Sequence, residues 1–146
     1  MHFVVSLLLA LVLPGVQQPS SASSLEAEIN KTGGALVHGV SFDPGTAALR
    51  TASEKVLQEI VVLMRDHTDW RFEVQGHTHA SGAPDLALEL SSRRARTVVD
   101  WLVTHGINAD RLVAKGYGET RPVSTEPNDE SRLLNDRVQL RKLNEE

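Results

Sequence analysis

The chain contains no cysteine. Disulfides, thiolate metal centres, a cysteine nucleophile and a lipid-bearing cysteine within it are thereby excluded. It also has no polybasic run: 15 Lys and Arg stand against 19 Asp and Glu, a net charge of −4. A phosphate-binding surface needs a concentrated basic face, so a nucleic-acid partner is not expected. No apolar stretch reaches the ~20 residues that a membrane-crossing helix requires. Internal repeats, a Gly-x-Ser-x-Gly elbow and a water-activating acid pair are absent too. A nucleophile, base and orienting group in mutual reach are therefore not in view, and the chain reads as non-catalytic, without a cofactor.

What the chain does have begins with an apolar run over 3–13, broken only by Ser6 and ended by Pro14-Gly15, then a Ser-rich tract to Ser24. This suits a secretory signal with cleavage near Ser20-Ser21-Ala22, although neither Lys nor Arg precedes the run. Residues 1–22 are expected to be a signal peptide and 23–34 a linker or short helix, hinted at by Leu25 and Ile29 one turn apart. Residues 35–146 have the size and composition of one small domain. With the signal removed, no membrane span is expected.

Periodicity then alternates between two and 3.6. Ala35 to Phe42 reads as a strand closed by an Asp43-Pro44-Gly45 turn, with Gly45 or Thr46 free to cap a helix. Leu49, Ala52, Val56, Ile60 and Leu63 predict that helix, about six turns long and ending near His67. Trp70 to Gln75 alternates apolar and polar, a strand ending at Gly76 with Trp70, Phe72 and Val74 on one face.

From Pro84 a second helix places Leu88, Ala95, Val98, Val99 and Leu102 on one side and Ala87, Ser91 and Arg94 in a column along its flank; it stops at His105-Gly106. Arg111 to Tyr117 is a third strand, and Thr120 to Asp129, with Pro122 and Pro127, a loop long enough to form a binding rim. Asn135 to Leu143 is the last strand, Val138 and Leu140 inward. The order is β-α-β-α-β-β, an α/β (α+β) two-layer sandwich with two helices on one face of a small mixed sheet.

Between the second strand and second helix lies Gly76-His77-Thr78-His79-Ala80-Ser81-Gly82. Small residues at a helix N-terminus leave backbone N–H groups for an anion, a carboxylate-binding corner. His77 and His79 at i, i+2 have the spacing of two metal ligands, with Asp85, Glu89 or His67 as conceivable third ligands, but no metal site is expected.

Gly76-His77-Thr78, Gly82, Leu90-Ser91-Ser92-Arg93-Arg94-Ala95, Gly106-Ile107 with Arg111-Leu112, Gly116-Tyr117-Gly118-Glu119, Pro122-Val123 and Asn135-Asp136-Arg137-Val138 follow one another in a single order. In that order the chain resembles the OmpA-like peptidoglycan-binding domain. The resemblance implies an exported module associated with the outer membrane on its periplasmic side, with peptidoglycan and other envelope proteins as partners. The family holds the diaminopimelate residue of the stem peptide with a motif Asp and a helix Arg. The Arg position is Arg94, whereas the Asp position is His79 and the helix Asn position is Ala87.

The ligand-binding residues this implies are Arg94, His79, Thr78, Gly82, Ser91 and Arg137, with Asp85 or Glu89 available to replace the lost acid. Asp136, where the family has an arginine, lowers the positive character of that rim. The alternative is a divergent copy that no longer binds the wall and serves as a structural or protein-interaction module.

Overall fold

In a computed structural model the described residues are 21–78, 83–122 and 136–144. Residues 1–20 of the expected 1–22 signal segment, most of the Thr120 to Asp129 rim, and both His79 and Gly82 lie outside them. Among the described residues there are three α-helices and a four-stranded mixed sheet: α1 (Ser21–Thr32), β1 (Gly34–Val37), α2 (Glu54–Asp66), β2 (Phe72–His77), α3 (Pro84–Thr104), β3 (Leu112–Gly116) and β4 (Arg137–Lys142). The two-layer α+β architecture expected from the alternating periods is the one observed.

The sheet runs β1-β4-β2-β3. β2 pairs in parallel with β3, Val74 opposite Ala114, and antiparallel with β4, Val74 opposite Leu140. β4 in turn pairs antiparallel with β1, Ala35 opposite Leu140. Strand alternation sends Phe72 and Val74 into the helical layer and Glu73, Gln75 and His77 to the other face. The core joins these residues to Leu57, Ile60 and Met64 of α2 and to Ala95, Val98 and Leu102 of α3. Leu25 and Ile29 of α1 belong to the same core, and Glu26 reaches His67 at 3.0 Å.

Four sequence expectations change. β1 ends at Val37, not Phe42, because Gly39 takes φ +96°, outside the extended region; Phe42 makes only an isolated bridge to Leu49. The first domain helix consequently starts at Glu54, after a 3-10 turn (Thr51–Ser53), and neither Gly45 nor Thr46 caps it; Ala52 is exposed. Strand β3 begins at Leu112, after a 3-10 turn (Ala109–Arg111). In α3 the buried face is Ala87, Ser91, Arg94, Ala95, Val98 and Leu102, while Leu88 is 47% exposed.

That last rotation has a steric cause. Gly76 and Gly116 bring the ends of β2 and β3 against the α3 backbone: a Cβ on Gly76 would lie 2.1 Å from the Ser91 carbonyl oxygen, and one on Gly116 2.3 Å from the Ser92 nitrogen. Only small residues fit such a contact, so the Ala87 and Ser91 column faces the sheet and the bulkier Leu88 is turned out.

Candidate functional site at the end of strand β2

The close approach at Gly76 fixes everything beside it. Ser91 Oγ donates to the Leu88 carbonyl at 2.9 Å and accepts from the Gly118 N–H at 2.8 Å. The Thr78 N–H donates to the Gly118 carbonyl at 3.0 Å, and the Tyr117 N–H to the Gly76 carbonyl at 2.9 Å. Ser91, expected as a ligand contact, thus works as a fully buried brace between α3 and the turn after β3. Thr78 is held 2% exposed with its hydroxyl toward Arg94.

Arg94 is 9% exposed. Its Nε–H donates to the Thr46 carbonyl at 2.8 Å and Nη1 to Thr78 Oγ1 at 3.3 Å, with the guanidinium carbon 4.9 Å from the centre of the Phe42 ring. Thr78 Oγ1 passes its own hydrogen to Asp136 Oδ1 at 3.0 Å. Burial draws the Arg94 guanidinium below its ordinary value, and the negative charge of Asp136 opposes that drop. The rest of the guanidinium fork, Nη2 included, has no partner among the described residues, which suits it to a planar carboxylate.

Arg94, Phe42 and Asp136 line a cleft of about 520 Å³. Its apolar wall is Val40, Phe42, Pro44 and Gly45, and its polar wall Ser41, Arg50, His77, Arg94, Asp136 and Arg137. Arg137 donates from Nε to Gln139 Oε1 at 2.6 Å and from Nη2 to the Arg121 carbonyl at 2.8 Å, so it borders the cleft while bracing β4. Asp85 and Glu89 are exposed on α3 and are not among the cleft-lining residues described.

His77 separates this cleft from a second, of about 420 Å³, on the outer face of the sheet, where Gln75, Arg121, Arg137, Gln139 and Arg141 contribute. Its ring stacks on Tyr117 at 5.2 Å, Nε2 lies 3.2 Å from Gln75 Oε1, and Nδ1 is buried without a hydrogen-bond partner among the described residues. Burial, reinforced by the positive charges of Arg137 and Arg121, lowers His77 to about 4, so it is neutral near pH 7. No group of three or more metal-ligating side chains occurs among the described residues.

Below His77, Glu73 is 6% exposed on the central strand. Burial works to raise its pKa, but hydrogen bonds from Tyr117 (2.6 Å), Arg141 (3.2 Å) and Gln75 (2.8 Å) outweigh it and bring the carboxyl down to about 2. This is a structural charge held by its neighbours.

Sequence reasoning placed Arg94, Thr78, Ser91 and Arg137 in one neighbourhood, and the structure gathers them there. It missed Thr46, Phe42 and the place of Asp136 on the rim of the cleft beside Thr78, which come from opposite ends of the chain. The Phe42-Asp43-Pro44-Gly45 turn was visible as a turn; nothing in its residues signals that it folds over α3.

The chain belongs to the OmpA family, whose model matches residues 41–136. It is 29% identical over 103 residues to the probable lipoprotein YiaD of Escherichia coli, covering 70% of this chain and 47% of that protein. It is 28% identical over 128 residues to the peptidoglycan-binding protein ArfA of Mycobacterium tuberculosis, covering 87% of this chain and 38% of that one. The chain therefore spans less than half the length of these relatives. Among solved structures, the cell wall anchor of the T6SS from Pseudomonas aeruginosa superimposes with a TM-score of 0.65 at 26% identity, over 88% of this chain and all of that one.

Proposed function

We propose that this domain is a non-catalytic cell-wall-binding module, acting in the cell envelope on the periplasmic side of the outer membrane. The stem peptide of peptidoglycan enters the cleft at the end of β2, and Arg94 takes a carboxylate of its diaminopimelate residue. The observation that carries this is a buried guanidinium lining an open cleft with donors unspent. Membership of the OmpA family and likeness to a peptidoglycan-binding protein and a cell wall anchor support the same reading. Among the described residues no helix is long and apolar enough to cross a membrane.

Co-sedimentation with purified peptidoglycan tests the proposal. Native protein is expected in the pellet. Arg94→Ala should lose roughly 30- to 1000-fold in affinity, the range for truncating one side of a buried charge contact. Arg94→Lys keeps the charge but not the planar fork and should fall between. Equal sedimentation of all three would overturn the assignment of Arg94. Native protein left in the supernatant would instead favour a module that has lost wall binding and docks another envelope protein.

A further inference from the structure

We infer that the second cleft, on the outer face of the sheet, binds a phosphate group. The inference is independent of the peptidoglycan reading and concerns the face turned away from the core helices. The charged side chains lining that cleft are three arginines, Arg121, Arg137 and Arg141, against one carboxylate, Glu28. Glu73 lies buried beneath and offsets Arg141 at 3.2 Å, and a positive excess remains. In a chain of net charge −4 with no basic run, only folding assembles this concentration. Arg121 comes from the turn after β3, and Arg137 and Arg141 from one face of β4, four residues or roughly 13 Å apart along the strand.

The hydrogen-bonding capacity left over there is of one kind. Arg121 rests its guanidinium carbon 4.0 Å from the centre of the Tyr117 ring and makes no side-chain hydrogen bond among the described residues. Arg141 spends Nε and Nη2 on Glu73, which leaves Nη1. Gln139, opposite Gln75 in the sheet, gives its Oε1 to Arg137 and keeps its amide N–H groups. Gln75 donates to Glu73 and so accepts from His77 Nε2; Nδ1 is then an acceptor, but that atom is buried. Donors from the sheet floor, from β4 and from the turn after β3 suit a tetrahedral oxyanion, whose several oxygens accept from different directions, whereas a carboxylate accepts in one plane. The positive field already acts on a neighbour: after burial, the charges of Arg137 and Arg121 are what lower His77.

The test titrates the native protein with inorganic phosphate and with acetate at one ionic strength, followed by amide NMR. Phosphate should shift the signals of Gln75 and Gln139 and bind at least ~3-fold more tightly than acetate. Arg121→Gln should weaken phosphate by ~3- to 10-fold. Arg96→Gln removes the same charge from an exposed position on α3 and should leave phosphate binding unchanged. Arg121 is exposed too, so both variants should unfold thermally like the native protein. Vesicles then tell the source of the phosphate. Pelleting with phosphatidylglycerol, reduced in Arg121→Gln and absent with phosphatidylcholine, assigns a lipid headgroup; phosphate binding without pelleting assigns a soluble phosphorylated molecule.

Equal binding of phosphate and acetate overturns the inference. So does an equal loss in the two variants, or a set of shifts confined to the cleft beside Arg94. These readouts are the same whether or not the protein sediments with peptidoglycan, so the two readings fail separately.

Discussion

Replacing Gly76 by alanine is expected to leave little folded protein at room temperature. The added Cβ would sit 2.1 Å from the Ser91 carbonyl oxygen and 2.9 Å from its carbon, both backbone atoms of α3. No rotamer relieves such a clash; strand and helix must separate, and with them the buried contacts of Ser91 and Ala95. A cost of roughly 4 kcal/mol or more is at the exceptional end for one substitution and comparable with the whole stability of a small domain. Gly45→Ala is the control: its Cβ meets nothing within 4 Å, and only the positive φ of 72° is strained. About 1–2 kcal/mol is expected there. Urea unfolding of both variants decides the matter, and a Gly76→Ala midpoint close to that of Gly45→Ala would show that the contact yields.

Acid should unfold the protein in two overlapping steps. His77 lies at about 4 in the folded state against an ordinary 6.5, and Glu73 at about 2 against 4.5. Both folded values lie below those of the unfolded chain, so within each window the unfolded chain holds the extra proton. Falling pH then favours unfolding. The His77 contribution is complete above about pH 6.5 and is lost towards 4; that of Glu73 is complete above about 4.5 and is lost towards 2. Each amounts to about 2–3 kcal/mol. Urea midpoints measured at pH 7, 5 and 3 should fall steadily, and His77→Gln should flatten the upper step while leaving the lower one. A native midpoint unchanged between pH 7 and 5 would mean that His77 accepts its proton without cost.

Strand and helix alternation was legible because one face of each element is buried and its period shows through. Trp70, Phe72 and Val74, like Val138 and Leu140, lie where their spacing put them. The rotation of α3 was not, although its evidence was in the chain. Ala87 and Ser91 are small because Gly76 and Gly116 bring the strand ends against the helix backbone, and that match appears only when the elements are laid together. A hydrophobicity pattern ranks Leu88 above Ala87; packing distance reverses the order.

The candidate site was half legible for a similar reason. Arg94 and Thr78 sit in one motif, 16 positions apart, whereas Thr46 and Asp136 reach them across separations of 48 and 58. Local spacing carries no record of such partners. Asp136 stood in the sequence as a changed residue that makes its rim less positive, and the structure sets it on the cleft, accepting from the Thr78 hydroxyl.

The strand order has a consequence for how the molecule is assembled. β1 and β2 do not touch as strands; β4, more than 90 positions beyond β1, is threaded between them and supplies every cross-link that joins the two. Until that segment is in place β1 has no ladder to lock onto, whereas β2 can already pair with β3, and the entropy of closing the long loop from β1 to β4 falls on that step. Placement of β1 in the sheet is therefore tied to β4, far along the chain, and not to its own neighbours in sequence.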